Sequence, residues 1–315
     1  MKFVILGAGG IGCYYGARLL DGGHEVIFVA RGQHLSALKS RGLELRHPDF
    51  SFFKAVDATD MQGLMQRDMG SIDAILIAAK STATKEIAQN LAQWFKQDVH
   101  AIPYCISLQN GVENEDILCA FIDKNFVIGG LTRKVGAHVV ENGVVEAVGC
   151  SETIVGLLDD NQKAKEFLEK LSEVFLKASI PLEITHDIRK ELWKKLIINN
   201  GVNALCALLG EKTGVLLHHP KLSKVVYGLM LETAKAAQSL HVNISKEDID
   251  AMYALILGFE SIKPSMLVDV EHGRALEIEE ICGVVLRSSE QGGLDAPYTR
   301  AISSLLEFKL EQKNR

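Results

Sequence analysis

The chain has 315 residues, 47% hydrophobic and 23% charged, which suits two domains of about 100 to 200 residues each and excludes disorder. A formal net charge of −6 supplies no overall basic field for nucleic acid or an anionic membrane, so any anion must be held by a local site. Six scattered cysteines without a C-x-x-C pair argue against a zinc site or a redox dithiol and for buried free thiols in a reducing cytoplasm.

The opening "MKFVILGAGG" has one lysine and a short apolar run before its glycines, which is neither a signal peptide nor a membrane span. The first half then alternates short apolar runs with helical segments, the pattern of a parallel sheet flanked by helices. "KFVIL" leads into glycines and a helix over 11–20, "EVIFVA" ends at Arg31, "DAILIAA" at Lys80, and "AIPYCISL" at Gln109-Asn110-Gly111. Each run is apolar on both faces and ends in glycine or polar residues, as buried strands do at the carboxyl, ligand-binding edge of such a sheet.

Over 126–157 two valine-rich runs flank Asn142-Gly143, a hairpin signal, and predict antiparallel strands that finish the first domain. A helix over 161–177 and the strand "PLEIT" follow, and beyond Asp187 only helical periodicity remains. The expected fold is α/β: a Rossmann dinucleotide-binding domain over 1–185 followed by an all-helical domain over 186–315.

Gly7, Ala8, Gly9, Gly10, Ile11 and Gly12 form a G-x-G-x-x-G directly after a strand and at the start of a helix, which makes the motif far stronger than a lone match. Gly7 permits the tight turn, Gly9 lets backbone N–H groups approach a pyrophosphate, and Gly12 lets the helix pack close to the sheet. An acidic residue ending the second strand would accept from the ribose of NAD, whereas Arg31 stands there and a guanidinium suits a 2′-phosphate. NADPH or NADP is therefore the expected cofactor, with a solvated loop arginine as the alternative. Lys80 reads equally as a cation near the phosphates or ribose and as a solvated helix-start lysine. Asn110 ends a strand at the same edge with an amide that can donate and accept.

In "LWKKLIINNGVN" Lys195, Asn199 and Asn203 recur every four residues within an otherwise apolar helix. At about 100° per residue they occupy roughly 80° of one face. Burying an amine and two amides without partners is costly. Either Lys195 reaches solvent and the asparagines cap neighbouring helices, or the stripe faces a small polar, anionic substrate. A buried lysine among cations has a lowered pKa and suits proton donation to a carbonyl oxygen that receives hydride.

Together "GAGGIG", "QNG", "ELWKKLIINNGVNAL" and "SMLVDVEHGRALEIE" resemble the ketopantoate reductase (2-dehydropantoate 2-reductase) family along nearly the whole chain. The resemblance implies a Rossmann domain followed by a helical domain like that of 6-phosphogluconate dehydrogenase relatives. It implies NADPH-dependent reduction of 2-dehydropantoate to pantoate, a step of pantothenate and coenzyme A biosynthesis in the cytoplasm. Carried over by these motifs, Lys195 is the general acid and Glu277 a catalytic carboxylate that binds the substrate hydroxyl or ribose and helps orient Lys195. Asn110 touches nicotinamide and substrate, Asn199 and Asn203 bind substrate, and Ser265 holds its carboxylate.

The chain departs from the family pattern at Leu276 and Glu279, where threonine and aspartate are usual beside Glu277 and Ile278. Thr213-Gly214 stands for Asn-Gly, and Asn203-Ala204 for Asn-Pro. Leu276 removes a hydroxyl beside Glu277 and Thr213 replaces an amide that would face substrate, so these two changes bear on substrate identity. A related reductase of another small keto acid is one alternative, and a non-catalytic NADP-binding sensor another, against which the intact Lys195, asparagines, Ser265 and Glu277 argue. His218-His219, His186-Asp187 and Glu271-His272 have no partners at ligand spacing, so no metal site is expected. The expected partner is a small keto acid, with no nucleic acid or membrane, and a homodimer stays open.

Overall fold

In the computed structural model, which describes residues 1–258 and 262–313, strand β1 (Lys2–Leu6) sends its side chains alternately into two cores. Phe3 and Ile5 enter one, Val4 and Leu6 the other, as a period of two requires. Burial of each such side chain is worth about 1.5–3 kcal/mol. The chain continues through α1 (Gly10–Asp21), β2 (Glu25–Val29), α2 (Gly32–Arg41), β3 (Leu43–His47), β4 (Phe50–Lys54), β5 (Asp57–Thr59) and α3 (Met61–Leu64). Next come β6 (Ala74–Ile77), α4 (Thr84–Phe95), β7 (Tyr104–Ser107), α5 (Asn114–Cys119), β8 (Val127–Arg133), β9 (Gly136–Glu141), β10 (Val144–Val148), β11 (Glu152–Leu157), α6 (Gln162–Lys177) and β12 (Leu182–Thr185).

Eight of these strands form one sheet in the order β12-β11-β8-β7-β6-β1-β2-β5. All neighbours are parallel except β8 and β11. The order runs one way from β1 through β2 to β5 and the other way from β6 through β7 to β8, so the switch point lies between β1 and β6, where ligands bind in open α/β sheets. One face is covered by Tyr14, Tyr15 and Leu19 of α1 and Phe167, Leu171 and Phe175 of α6. The other is covered by Leu91 and Trp94 of α4 and Leu118 of α5. This is the Rossmann arrangement expected from the alternating pattern.

Asn142-Gly143 makes the expected turn, Gly143 at φ +82°, and joins the antiparallel pair β9 and β10. The hairpin stays in the first unit but does not extend the main sheet. β9 and β10 leave the main sheet and form a second, four-stranded sheet with β3 and β4, in which β10 runs parallel to β3. Only β8 and β11 finish the main sheet as an antiparallel pair. Leu43, Leu45, Phe52, Val145 and Ala147 of the second sheet join the core beneath α1, which is the apolar burial that draws it there.

The helical elements are α7 (Ile188–Leu209), α8 (Thr213–His218), α9 (Leu222–Ser239), α10 (Lys246–Leu257), α11 (Ser265–Glu271), a π-helical turn at Glu279–Gly283, α12 (Val284–Gln291) and α13 (Pro297–Lys313). α9 packs against α8, α10, α12 and α13. Ser245 and Asp248 form a reciprocal capping box that starts α10. Two compact units result, one of Met1–Gln109 with Asn114–Ile188, the other of Arg189–Arg315 with the short segment Asn110–Glu113. Among the described residues no helix is long and apolar enough to cross a membrane. The cysteines are all free, but burial is incomplete: Cys119 is half-buried and Cys150 exposed.

Candidate active site

In the first unit the glycine motif sits at the switch point. Gly7 has φ +100°, and a Cβ there would lie 2.5 Å from the backbone nitrogen of Ala79, which follows β6. A Cβ on Gly12 would lie 2.2 Å from the Gly7 carbonyl oxygen and 2.8 Å from Ile5 Cγ2, so α1 approaches β1 as only glycine allows. Gly9, which caps α1, differs from both: a Cβ there meets nothing within 4 Å. The space in front of the helix N-terminus is therefore open, where backbone N–H groups and the helix dipole favour an anion. Gly10 adds a constraint the motif does not encode, because its Cβ would lie 2.0 Å from the Ala137 carbonyl oxygen on β9. Ala8 is buried and Ile11 half-buried in the first turn of the loop and helix.

The neighbouring strands bring two cations to this edge. Gly7 and Ala8 donate backbone N–H bonds of 3.2 and 2.9 Å to the carbonyl of Val29, the last residue of β2. Two residues on, the exposed Arg31 precedes α2. Lys80 follows β6, half-buried at the start of a 3₁₀ turn over Ser81–Ala83. Buried Gln109 at the end of β7 donates through Nε2 to the carbonyls of Ala79 (3.1 Å) and Lys80 (3.3 Å) and to Thr84 Oγ1 (2.9 Å). The Lys80 loop is thereby fixed to the next strand. A glycine turn, an open helix N-terminus and two cations at a switch point fit the pyrophosphate and sugar of a dinucleotide.

In the second unit Asn110 Nδ2 donates to Glu277 Oε2 at 3.1 Å. Glu277 is 8% exposed, and a carboxylate so buried needs such a donor. Immediately after it the chain makes the π-helical turn Glu279–Gly283, a distortion frequent at functional sites. Burial first, and then the carboxylates of Glu277 and Glu279, push the half-buried Glu280 above the usual carboxyl range. Arg287 bridges this segment to the one bearing Asn110, with Nη1 2.8 Å from Glu279 Oε2 and Nη2 2.8 Å from Glu113 Oε2.

Lys195, Asn199 and Asn203 lie on the single long helix α7. The stripe is less buried than its sequence surroundings suggest. Asn203 is 3% exposed, whereas Lys195 and Asn199 are half-buried. The preceding Lys194 pairs with Glu191 at 2.8 Å, one turn back. Ser265 opens α11 after Pro264 and is exposed. Leu276 is half-buried and Thr213 buried. Among the described residues no group of three or more His, Cys, Asp or Glu is placed to hold a metal. His218 and His272 each bond through Nδ1 to the carbonyl four residues back, at 2.8 Å, as helix-end residues.

Residues 3–160 match the ketopantoate reductase PanE/ApbA family and residues 187–310 its C-terminal domain. The chain belongs to this family. Among similar proteins, 2-dehydropantoate 2-reductase of Pyrococcus horikoshii is 31% identical over 98% of this chain and 97% of its own. A ketopantoate reductase of the PanE/ApbA family from Ralstonia eutropha JMP134 superposes with a TM-score of 0.87, at 28% identity and full coverage of both chains. D-mandelate dehydrogenase, in a structure with NADH and anilino(oxo)acetate, has the same fold, with a TM-score of 0.89 at 22% identity and full coverage. The protein is thus an oxidoreductase of a nicotinamide-dependent reductase family.

Several residues around these family motifs escape sequence reasoning. Glu115 on α5 is 1% exposed, and among the described residues neither carboxylate oxygen has a hydrogen-bond partner of good geometry, Ser107 and the Gly130 backbone being the nearby polar groups. Burial pushes it up to about 7, so at neutrality it is about half protonated. Its sequence signal, an acidic residue in the first turn of a helix, reads as ordinary dipole compensation. Asn200 is fully buried beside the half-buried Asn199 on the same helix, and nothing in "INNG" distinguishes the two. Arg287 is recognisable only once Glu113 and Glu279 are seen beside it.

Proposed function

We propose that this protein is an NADPH-dependent 2-dehydropantoate 2-reductase that reduces ketopantoate to pantoate, in the cytoplasm, for pantothenate and coenzyme A synthesis. The observation that carries the reading is the pairing of Asn110 with the buried Glu277, in a unit whose long helix bears Lys195, Asn199 and Asn203 on one face. Similarity to relatives named 2-dehydropantoate 2-reductase supports the substrate.

On this reading Gly7, Ala8, Gly9, Gly10, Ile11 and Gly12 hold the pyrophosphate, Arg31 the 2′-phosphate, and Lys80, Asn110 and Glu277 the ribose and nicotinamide ends of NADPH. The cofactor supplies a hydride to the keto carbon. Lys195 Nζ donates the proton that neutralises the alkoxide oxygen, and Glu277 orients that amine. Ser265 holds the substrate carboxylate through its hydroxyl, while the amides of Asn110, Asn199 and Asn203 bind the remaining oxygens. Positioning and charge stabilisation by these groups supply the protein's share of the rate.

A related keto acid is the competing substrate, since Leu276 and Thr213 replace a hydroxyl and an amide usual in the family. Initial rates with ketopantoate, an unbranched 2-keto acid and a phenyl-substituted one, each with NADPH and NADH, decide between them. The proposal requires the highest kcat/KM for ketopantoate with NADPH. Turnover of another keto acid with ketopantoate inert would overturn the substrate and leave the nicotinamide site standing.

A further inference from the structure

Asn200 adjoins the polar stripe of α7 but takes no part in it. At about 100° per residue it stands roughly 60° round the helix from Asn203, 100° from Asn199 and 140° from Lys195. Its side chain is fully buried. Nδ2 donates to Thr233 Oγ1 on α9 and to Thr299 Oγ1 on α13, both at 3.0 Å.

The protons of this network can be assigned. The Thr233 hydroxyl donates to the carbonyl of Leu229 at 2.9 Å, and the Thr299 hydroxyl donates to Glu232 Oε2 at 2.8 Å. Each hydroxyl has spent its one hydrogen, so each presents only lone pairs to Asn200. A flipped amide would set oxygen against both, so the amino group must face the threonines. Glu232, itself 7% exposed, also accepts the backbone N–H groups of Tyr298 and Thr299 at 2.8 Å each. It thereby satisfies two of the free donors in the first turn of α13. The chain of bonds Asn200–Thr299–Glu232 therefore ends on backbone, as does Asn200–Thr233–Leu229.

One residue on, α7 comes close to α9: a Cβ on Gly201 would lie 2.8 Å from Met230 Cγ. Gly201 sets the separation of the two helices, and Asn200 sets rotation, because a turn of α7 about its axis would break both donor bonds in a buried site. We propose that Asn200 is a positioning residue for the reaction, holding α7 in the rotation that presents Lys195, Asn199 and Asn203. The proposal rests on the assignment of Lys195 as proton donor.

The test compares Asn200→Leu, Thr233→Val, Thr299→Val and the Asn200→Leu/Thr299→Val double variant with the unaltered enzyme, using ketopantoate and NADPH well below each melting temperature. Lys195→Ala is assayed beside them. NADPH affinity, read by fluorescence, should stay within about twofold while kcat falls about tenfold or more in Asn200→Leu and less in each threonine variant. The double variant should lie within about twofold of Asn200→Leu alone, the non-additivity of one network. The high-pH limb of kcat should also move in Asn200→Leu, a shift that mere loosening of the fold does not produce. If Asn200→Leu does not fold, the two threonine variants carry the same comparison. Lowered melting temperature with kcat, KM and the pH limb unchanged would overturn the proposal alone. Full activity of Lys195→Ala would overturn the assignment beneath it, and the proposal too.

Discussion

Asn110 Nδ2 donates to Glu277 Oε2 across 3.1 Å, joining residues 167 positions apart in sequence. The bond commits one amide hydrogen of Asn110 and one carboxylate oxygen of Glu277. Glu277→Gln retains an acceptor for Asn110 but removes the charge. If Glu277 orients the proton donor, the variant keeps its melting temperature and loses about a hundredfold or more in kcat. If Glu277 only secures Asn110, steady-state kinetics of the variant will resemble those of the parent.

The glycine motif yields a contrast between stability and binding. Gly9→Ala adds a methyl where nothing lies within 4 Å, at a backbone φ of −82° that alanine adopts freely. Its melting temperature should match the parent, while calorimetric titration should show NADPH binding weakened tenfold or more, an order of magnitude set by one lost close backbone–phosphate approach, about 1.4 kcal/mol. Gly12→Ala, whose methyl would lie 2.2 Å from the Gly7 carbonyl oxygen, should instead lower the melting temperature as well.

Arg31 is exposed beside the glycine turn, so its replacement leaves the core untouched. Arg31→Ala should raise KM for NADPH about ten- to a hundredfold, the range for losing a hydrogen bond to a charged group, with KM for NADH little changed. Equal effects on both cofactors would show that the guanidinium does not read the 2′-phosphate.

Buried Glu115 makes stability depend on pH. Burial raises its carboxyl from the ordinary 4.5 to about 7, so between those values the folded chain binds more protons than the unfolded one. Its contribution is fully present below about pH 4.5 and is lost as pH rises through about 7. Glu115→Gln should therefore be no more stable than the parent at low pH and more stable above neutrality, by up to roughly 3 kcal/mol. Urea midpoints across this range check it, and parallel curves for the two proteins would contradict it.

Much of the first unit can be read from local pattern. The strand, glycine turn and helix at residues 2–21 are contiguous, and Asn142-Gly143 announces its own hairpin. The second sheet is another matter, because β3 pairs with β10 about a hundred residues later and no local signal names a distant partner. The stripe on α7 is visible as spacing, yet its depth depends on neighbours: Asn203 is buried while Lys195 and Asn199 are not fully covered. Asn200 is illegible for the same reason, since its threonine partners lie 33 and 99 residues away.

The central claim, that Lys195 delivers the proton, is tested most directly by following ketopantoate-dependent NADPH oxidation in the parent and in Lys195→Ala. The account predicts that Lys195→Ala binds NADPH as the parent does and loses about a hundredfold or more in kcat. Turnover near the parent rate in Lys195→Ala, with ketopantoate still reduced, would contradict it.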